Sequence, residues 1–250
     1  MLLPYLTARD RSNLHLVLCP FAGASVGAFS GWKASNDLDV TVSIAVYPGR
    51  DHRMNERPLH DIRLLAAEVA NSIAMMPDEE LELVVLAGHS MGAQIAFEAC
   101  LQLEQKGITL RGLLLSACHA PHLRSRRRLS HLSDVFFVKE LISIGGCNKL
   151  IRDNPEIIRP FLSFLRADFV ATETYHKDLH AARTLARTPA FLLYGSQDAE
   201  ASREEIIAWK EWLELVPTIH EVAGSHFYIT ERPRLVLGQA IELFQKQQVG

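Results

Sequence analysis

The stretch from Leu83 to Phe97, LVVLAGHSMGAQIAF, constrains this chain more than any other. An apolar run of strand length meets a serine held between two glycines, then resumes as an apolar run. Gly88-His89-Ser90-Met91-Gly92 matches G-x-S-x-G, in which glycines permit a strand-to-helix turn so tight that the serine stands clear of the sheet. The motif requires a strand before it and a helix after it. LELVVLA and MGAQIAFEACLQLEQKG supply both, with Gly107 as a natural helix stop.

The rest of the chain supplies a sheet for such a turn. Short β-rich runs at 14–19, 40–48, 81–88, 110–117, 190–195 and 218–224 alternate with helical patterns, the signal for a largely parallel sheet covered on both faces. Residues 61–76 place Ile62, Leu65, Ala66, Val69 and Ile73 on one helical stripe. Ser202 and Glu205 stand in capping-box register before another helix, and Thr230 is the expected cap of the last. The alternation stops between about Pro121 and Thr188, where two helical patterns occur and no strand does. We read one domain over 1–250 with a helical insertion at about 121–188, placed to act as a lid over the C-terminal edge of the sheet. Its first helix should run from Ser133 to Gly145-Gly146. Its second should start at Asn154 with Pro155 in the first helical position and a kink at Pro160.

Composition narrows the partners. The 250 residues are 48% hydrophobic, enough for a sizeable core, and the net charge of -3 gives no basic field for nucleic acid. Cys19, Cys100, Cys118 and Cys147 lack CxxC spacing, and the first three lie in apolar runs, which suggests reduced thiols and a cytoplasmic location. Pro4, Arg9, Asp10 and Arg11 interrupt the N-terminal apolar residues, so neither a secretion signal nor a membrane span is expected. Neither a phosphate-binding glycine pattern nor a metal motif occurs, and no cofactor or metal is expected.

A serine hydroxyl needs a base to take its proton, and the base needs a third group to fix its tautomer. In sheets of this kind the order is serine, acid, histidine. Among the eleven histidines the best placed is His226, in EVAGSHFYIT, after the last strand and before the final helix. Asp198, three residues beyond the strand end at Gly195, is the chosen acid, with Glu200 in the same loop as its rival. His89 is expected to support the turn. For a tetrahedral oxyanion the amide of Met91 is one donor, and that of Phe21 or Ala22, in CPFAGASVGAF, is the other. Adjacent Cys118 and His119 are discounted as a nucleophile pair, on the expectation that neighbouring strand residues face opposite ways. Arg50 and Arg53 are read as structural ion-pair residues.

Taken together, LVLCPFAGASVGAFSGW with Trp32, YPGRDHRMNERPL, AGHSMGA, SACHAPH, FLRADFVATETY and AGSHFYI resemble the stand-alone type II thioesterases of nonribosomal peptide and polyketide assembly lines, over nearly the whole chain. The CHAPH and IGGC segments are most similar to those of yersiniabactin-type siderophore synthesis. Ala24 departs from the family, where a second glycine is usual. The resemblance implies an α/β-hydrolase fold, a monomer, and removal of acyl groups from the phosphopantetheine thiol of acyl- or peptidyl-carrier proteins. That arm belongs to the substrate. It also implies Ser90 as nucleophile, His226 as base and Asp198 as its orienter. Phe136, Phe137, Phe161, Phe164 and Phe169 are candidate linings of an acyl pocket, and Arg124, Arg126, Arg127 and Arg128 candidate docking charges for acidic carriers. A general carboxylesterase and a catalytically silent binding module are the competing expectations.

Overall fold

The computed structural model describes residues 5–7, 12–35, 38, 40–146, 153–180 and 183–246. Among the described residues seven strands, β1 (Tyr5–Thr7), β2 (His15–Cys19), β3 (Thr41–Ile44), β4 (Val84–His89), β5 (Gly112–Ser116), β6 (Ala190–Gly195) and β7 (Thr218–Val222), form one sheet in the order β1-β3-β2-β4-β5-β6-β7. Only β1 runs antiparallel to its neighbour. From β2 the chain builds one way to β3 and the other way to β4 and beyond. The direction therefore reverses between β2 and β4, and loops leaving their carboxyl ends diverge to open a crevice. Cys19 pairs with Gly88 at that point, so the loop after β2 and the serine turn face each other there.

The strands are covered on both faces. Along β2 the side chains alternate, with Val17 and Cys19 in one core and Leu16 and Leu18 in the other, as the two-residue repeat of a strand requires. The first core is filled by α1 (Ile62–Ala74), by α3 (Met91–Gln105), which follows the short α2 (Asp78–Leu81), and by Trp209 and Trp212. The apolar stripe of α1 is buried as its spacing predicts, and Asp61 caps it by accepting the amides of Arg63 and Leu64. Phe29 and Trp32 fill the opposite core together with the last helix.

The insertion carries α4 (Asp134–Ile144) and α5 (Leu162–Thr174) with its own small core, which includes Phe137, Leu141, Ile158, Phe164 and Leu165. As expected, α4 follows Ser133 and stops at Gly145, whose φ of 95° lies in the left-handed region. The second pattern divides. Pro155–Phe161 is a 3-10 helix containing Pro160, and α5 begins only at Leu162, because a proline lacks the N–H that an α-helical interior needs. Cys147 lies outside the described residues.

After β6 come α6 (Arg203–Ile207), α7 (Tyr228–Glu231) and α8 (Pro233–Lys246). The capping box of Ser202 and Glu205 opens α6 as predicted. Thr230 does not cap the last helix: it lies within α7, and the chain restarts at Pro233. The residue before a proline is driven out of helical geometry, which places the break at Arg232. The strand expected over 40–48 is only Thr41–Ile44, because the chain leaves the sheet for a turn at Gly49. β1 carries no strand pattern in the sequence. No described helix is long and apolar enough to cross a membrane. A mostly parallel sheet, helices on both faces and a serine turn after β4 make this an α/β-hydrolase fold.

Candidate active site

The turn after β4 has no spare room. A Cβ added at Gly88 would lie 2.1 Å from the Gly92 carbonyl oxygen, and one at Gly92 would lie 2.0 Å from that of Cys19. Both distances are far inside van der Waals contact, so only glycine lets the strand, the helix and the β2 loop meet. Between them Ser90 takes φ 55° and ψ -124°, a conformation that non-glycine residues adopt only when their surroundings force it. Its amide donates to the Ser116 carbonyl at 2.8 Å, which ties the turn to β5.

His226, in the loop after β7, lines the same cleft as Ser90, Phe21 and Ala22. Behind it, Nδ1–H donates to both carboxylate oxygens of Asp198, at 3.0 and 2.9 Å. The carboxylate can only accept, which fixes the proton on Nδ1 and turns a lone pair on Nε2 outward. Asp198 also accepts the amides of Glu200 and Ala201 at 2.8 and 3.1 Å. Burial alone would raise its pKa, but the His226 hydrogen bond and charge, helped by these amides, hold it below the usual aspartate value. The rival Glu200 points elsewhere: Arg127 Nε and Nη2 donate to it at 2.8 Å.

His89, fully buried, holds His226 by the backbone. Its Nε2–H donates to the His226 carbonyl at 2.7 Å, and a neutral ring must then accept at Nδ1, from Ser116 Oγ at 2.9 Å. Ser116 Oγ accepts in turn from the Tyr228 hydroxyl. Burial, and secondarily the nearby His226, lower the His89 pKa to about 3. A ring kept neutral places no positive charge beside His226. His89 supports the turn as its place beside Ser90 suggests, whereas Ser116 and Tyr228 carry no local signal in the sequence.

Backbone amides able to serve a developing oxyanion stand at the start of α3 and in the loop after β2. Met91 opens α3, where a backbone N–H has no acceptor within the helix. In the β2 loop the amide of Ala24 donates to the Phe21 carbonyl and that of Gly23 to Asp168. The amides of Phe21 and Ala22 are left as the loop's candidates, and both residues border the cleft.

The cleft at Ser90 holds only about 110 Å³ and carries Arg126, Arg127, Glu173 and Glu200 on its walls. Beside it opens a chamber of about 500 Å³ lined mainly by Leu141, Ile158, Phe161, Phe164, Leu165 and Phe169. The two share Phe21, Ala22, Ile144, Phe169 and Phe227 as walls. Of the five phenylalanines expected to line a pocket, Phe161, Phe164 and Phe169 do. Phe137 is fully buried against Phe169, and Phe136 is 60% exposed.

The arginine cluster is split. Arg126 pairs with Glu205, and Arg127 pairs with Glu140 and Glu200, whereas Arg124 and Arg128 are exposed. Arg50 and Arg53 both form ion pairs, with Asp168 and with Glu56 and Glu68. Cys118 and His119 both border the cleft, beyond the end of β5, so strand alternation does not separate them. What disqualifies the Cys118 thiol is burial, which pushes its pKa far up.

Comparison with known proteins gives a consistent answer. The family described as "Thioesterase domain" matches residues 14–244. A probable anguibactin biosynthesis thioesterase, AngT of Vibrio anguillarum, is 40% identical over 232 residues, covering 92% of each chain. Thioesterase PikA5 of Streptomyces venezuelae is 31% identical over 222 residues, 88% of this chain and 77% of its own. Among solved structures, YbtT, a type II thioesterase from the yersiniabactin NRPS/PKS biosynthetic pathway, superposes with a TM-score of 0.89 at 46% identity, covering 97% of this chain and 98% of that one. A serine turn, a histidine braced by a buried aspartate and a family match across nearly the full length agree: this chain belongs to the thioesterase family.

Proposed function

We propose that this chain is a type II thioesterase that strips acyl groups from the pantetheine thiol of carrier proteins in a nonribosomal peptide or polyketide pathway, of the siderophore-forming kind. The observation that carries the reading is the placement of Ser90 and His226 in one cleft with Asp198 bonded behind the imidazole. Likeness to AngT and YbtT supports the pathway class.

In the reaction so read, His226 Nε2 takes the Ser90 proton as Oγ attacks the thioester carbonyl. The carbonyl oxygen gains negative charge, which the amide of Met91 and that of Phe21 or Ala22 stabilise. The tetrahedral intermediate collapses, the C–S bond breaks, and His226 returns the proton to the departing thiolate. Water then enters, gives its proton to His226 and attacks the acyl-serine. A second collapse releases a carboxylic acid and restores the Ser90 hydroxyl. Throughout, Asp198 holds the imidazole and stabilises its cationic form without itself taking a proton. The apolar chamber receives the acyl chain, and exposed Arg124 and Arg128 remain available to steer an acidic carrier.

The test is intact-mass kinetics on an acyl-loaded carrier protein, with wild type and Ser90→Ala, beside a simple aryl ester. Faster loss of acyl from the carrier than cleavage of the ester, seen only with wild type, is the expected result. Cleavage of the ester alone would replace this reading with a general carboxylesterase.

A further inference from the structure

We propose that Arg50 and Asp168 are positioning residues for the turn Phe21–Ala24, so that the insertion sets the geometry at which the oxyanion is held. The inference rests on the serine thioesterase reading and extends it to a pair of residues outside the reacting groups.

Asp168 belongs to α5, yet its carboxylate reaches the loop after β2. Oδ2 accepts the Gly23 amide at 2.8 Å. Arg50 completes the grip: Nη1 donates to Asp168 Oδ2 at 2.8 Å and to the Ala24 carbonyl at 3.1 Å, and Nη2 donates to Asp168 Oδ1 at 2.6 Å. The two side chains retain only 3% and 1% of their exposure. Leu165, three residues before Asp168 on the same helix, presses on the turn as well; a Cβ at Gly23, whose φ is +81°, would lie 2.5 Å from its Cδ2. From below, Gly92 packs against the Cys19 and Pro20 carbonyls, and the Tyr47 hydroxyl donates to Pro20 at 3.1 Å.

The turn is thus a thin layer between the serine helix and the insertion. Its outer side is fastened at two backbone groups, Gly23 N–H and Ala24 C=O, next to the two amides available for the oxyanion. Catalytic donors act only when aimed at the position the oxygen will occupy, and a misplacement of about 1 Å can cost roughly a hundred-fold in rate. A buried ion pair adds little net stability over an apolar substitute, whereas breaking one leaves a charge uncompensated. The pair's value therefore lies in the placement of the atoms it grips.

The experiment compares Asp168→Asn and Arg50→Lys with Glu68→Gln, which removes a partner of the neighbouring Arg53 away from the turn. Each is assayed for hydrolysis of an acyl-N-acetylcysteamine thioester and for inhibition by an alkyl boronic acid, whose serine adduct places an oxygen where the oxyanion forms. Thermal melts establish that each variant is folded at the assay temperature. For Asp168→Asn and Arg50→Lys we expect kcat to fall roughly 30- to 100-fold with KM within about three-fold, and the boronate Ki to rise in parallel. Glu68→Gln should lower the melting temperature while keeping kcat. If Asp168→Asn does not fold, Arg50→Lys keeps the charge, loses the bidentate fork and carries the same readouts. Folded variants with unchanged kcat, or with lower kcat and unchanged boronate affinity, overturn the positioning role alone. A wild type that hydrolyses no thioester overturns the thioesterase reading, and this inference with it.

Discussion

The two halves of the site differ in how much of what holds them water can reach. Ser90 follows a strand buried at all six residues, and Asp198 follows one nearly as buried, so packing of the sheet fixes where they stand. Across the cleft, the insertion has a small apolar core of its own and adds ion pairs that water reaches: Arg127 to Glu140 and Glu200, and Arg166 to Asp134. Val135, Phe136 and Phe161 of that half lie exposed. Apolar packing is short-ranged and is not screened by salt, whereas exposed ion pairs are. Ser90 and Asp198, the proposed nucleophile and acid, therefore stand on the part of the molecule least responsive to conditions, and the part lining the apolar chamber responds most. The Arg50–Asp168 pair is a buried link between the two halves, and Glu98 of α3, bonded by Tyr175 and Lys177, is another.

The comparison breaks most sharply at the reacting groups. Ser90→Ala should reduce carrier deacylation by at least about 10⁴-fold, and Asp198→Asn by about 10³- to 10⁴-fold, each with an unchanged circular dichroism spectrum. Intact-mass kinetics measures both, and residual turnover near wild type in either would remove the triad. Next in size is Gly92→Ala: with no room at the Cys19 carbonyl, it should cost more than about 3 kcal/mol in urea melts. A stable, active Gly92→Ala protein would mean that the sheet half yields as readily as the insertion.

A pH titration probes the same half. His89, lowered to about 3, and His15, lowered to about 4 by burial, stay neutral in the fold while the unfolded chain protonates near 6.5. Their contribution is complete above pH 6.5 and is lost as pH falls through 6.5 toward the folded values. The slope is about 1.4 kcal/mol per pH unit for each histidine. Urea midpoints at pH 7 and pH 5 should show the loss, and a His15→Gln protein should lose less. Identical pH dependence in the two proteins would assign the slope elsewhere.

Smaller effects are expected on the insertion. Arg124→Glu with Arg128→Glu should raise KM for an acyl-carrier several-fold and leave a small thioester unaffected, an effect that fades with added salt. Arg127→Ala, with its side chain 39% exposed, should change global stability by no more than about 1 kcal/mol. Hydrogen exchange in α4 should nevertheless quicken while β4 stays protected. Equal quickening in both would erase the distinction between the halves.

What the sequence revealed follows the same divide. G-x-S-x-G is a local pattern, and Asp198 and His226 stand just past strands recognisable from their composition. Asp198 contacts His226 across only 28 residues of sequence. By contrast, Asp168 reaches Gly23 across 145 residues and Arg50 across 118, and an ion pair leaves no periodicity to read. Phe136 and Phe137 are neighbours on one helix, yet one is exposed and the other buried; the pattern placed both in a pocket. β1 was missed because three edge residues bounded by masking charges and a proline carry too little alternation to register.

The buried thiols noted in the sequence have a practical consequence. Cys19, Cys100 and Cys118 are all inaccessible, and burial raises the first two to about 12. An alkylating reagent attacks thiolates, so at neutral pH these three should remain unmodified until the surrounding structure opens. Cys19 lies under the serine turn and Cys118 beside the cleft, so peptide-resolved alkylation would time the opening of each without any label being introduced. The chain carries its own clocks.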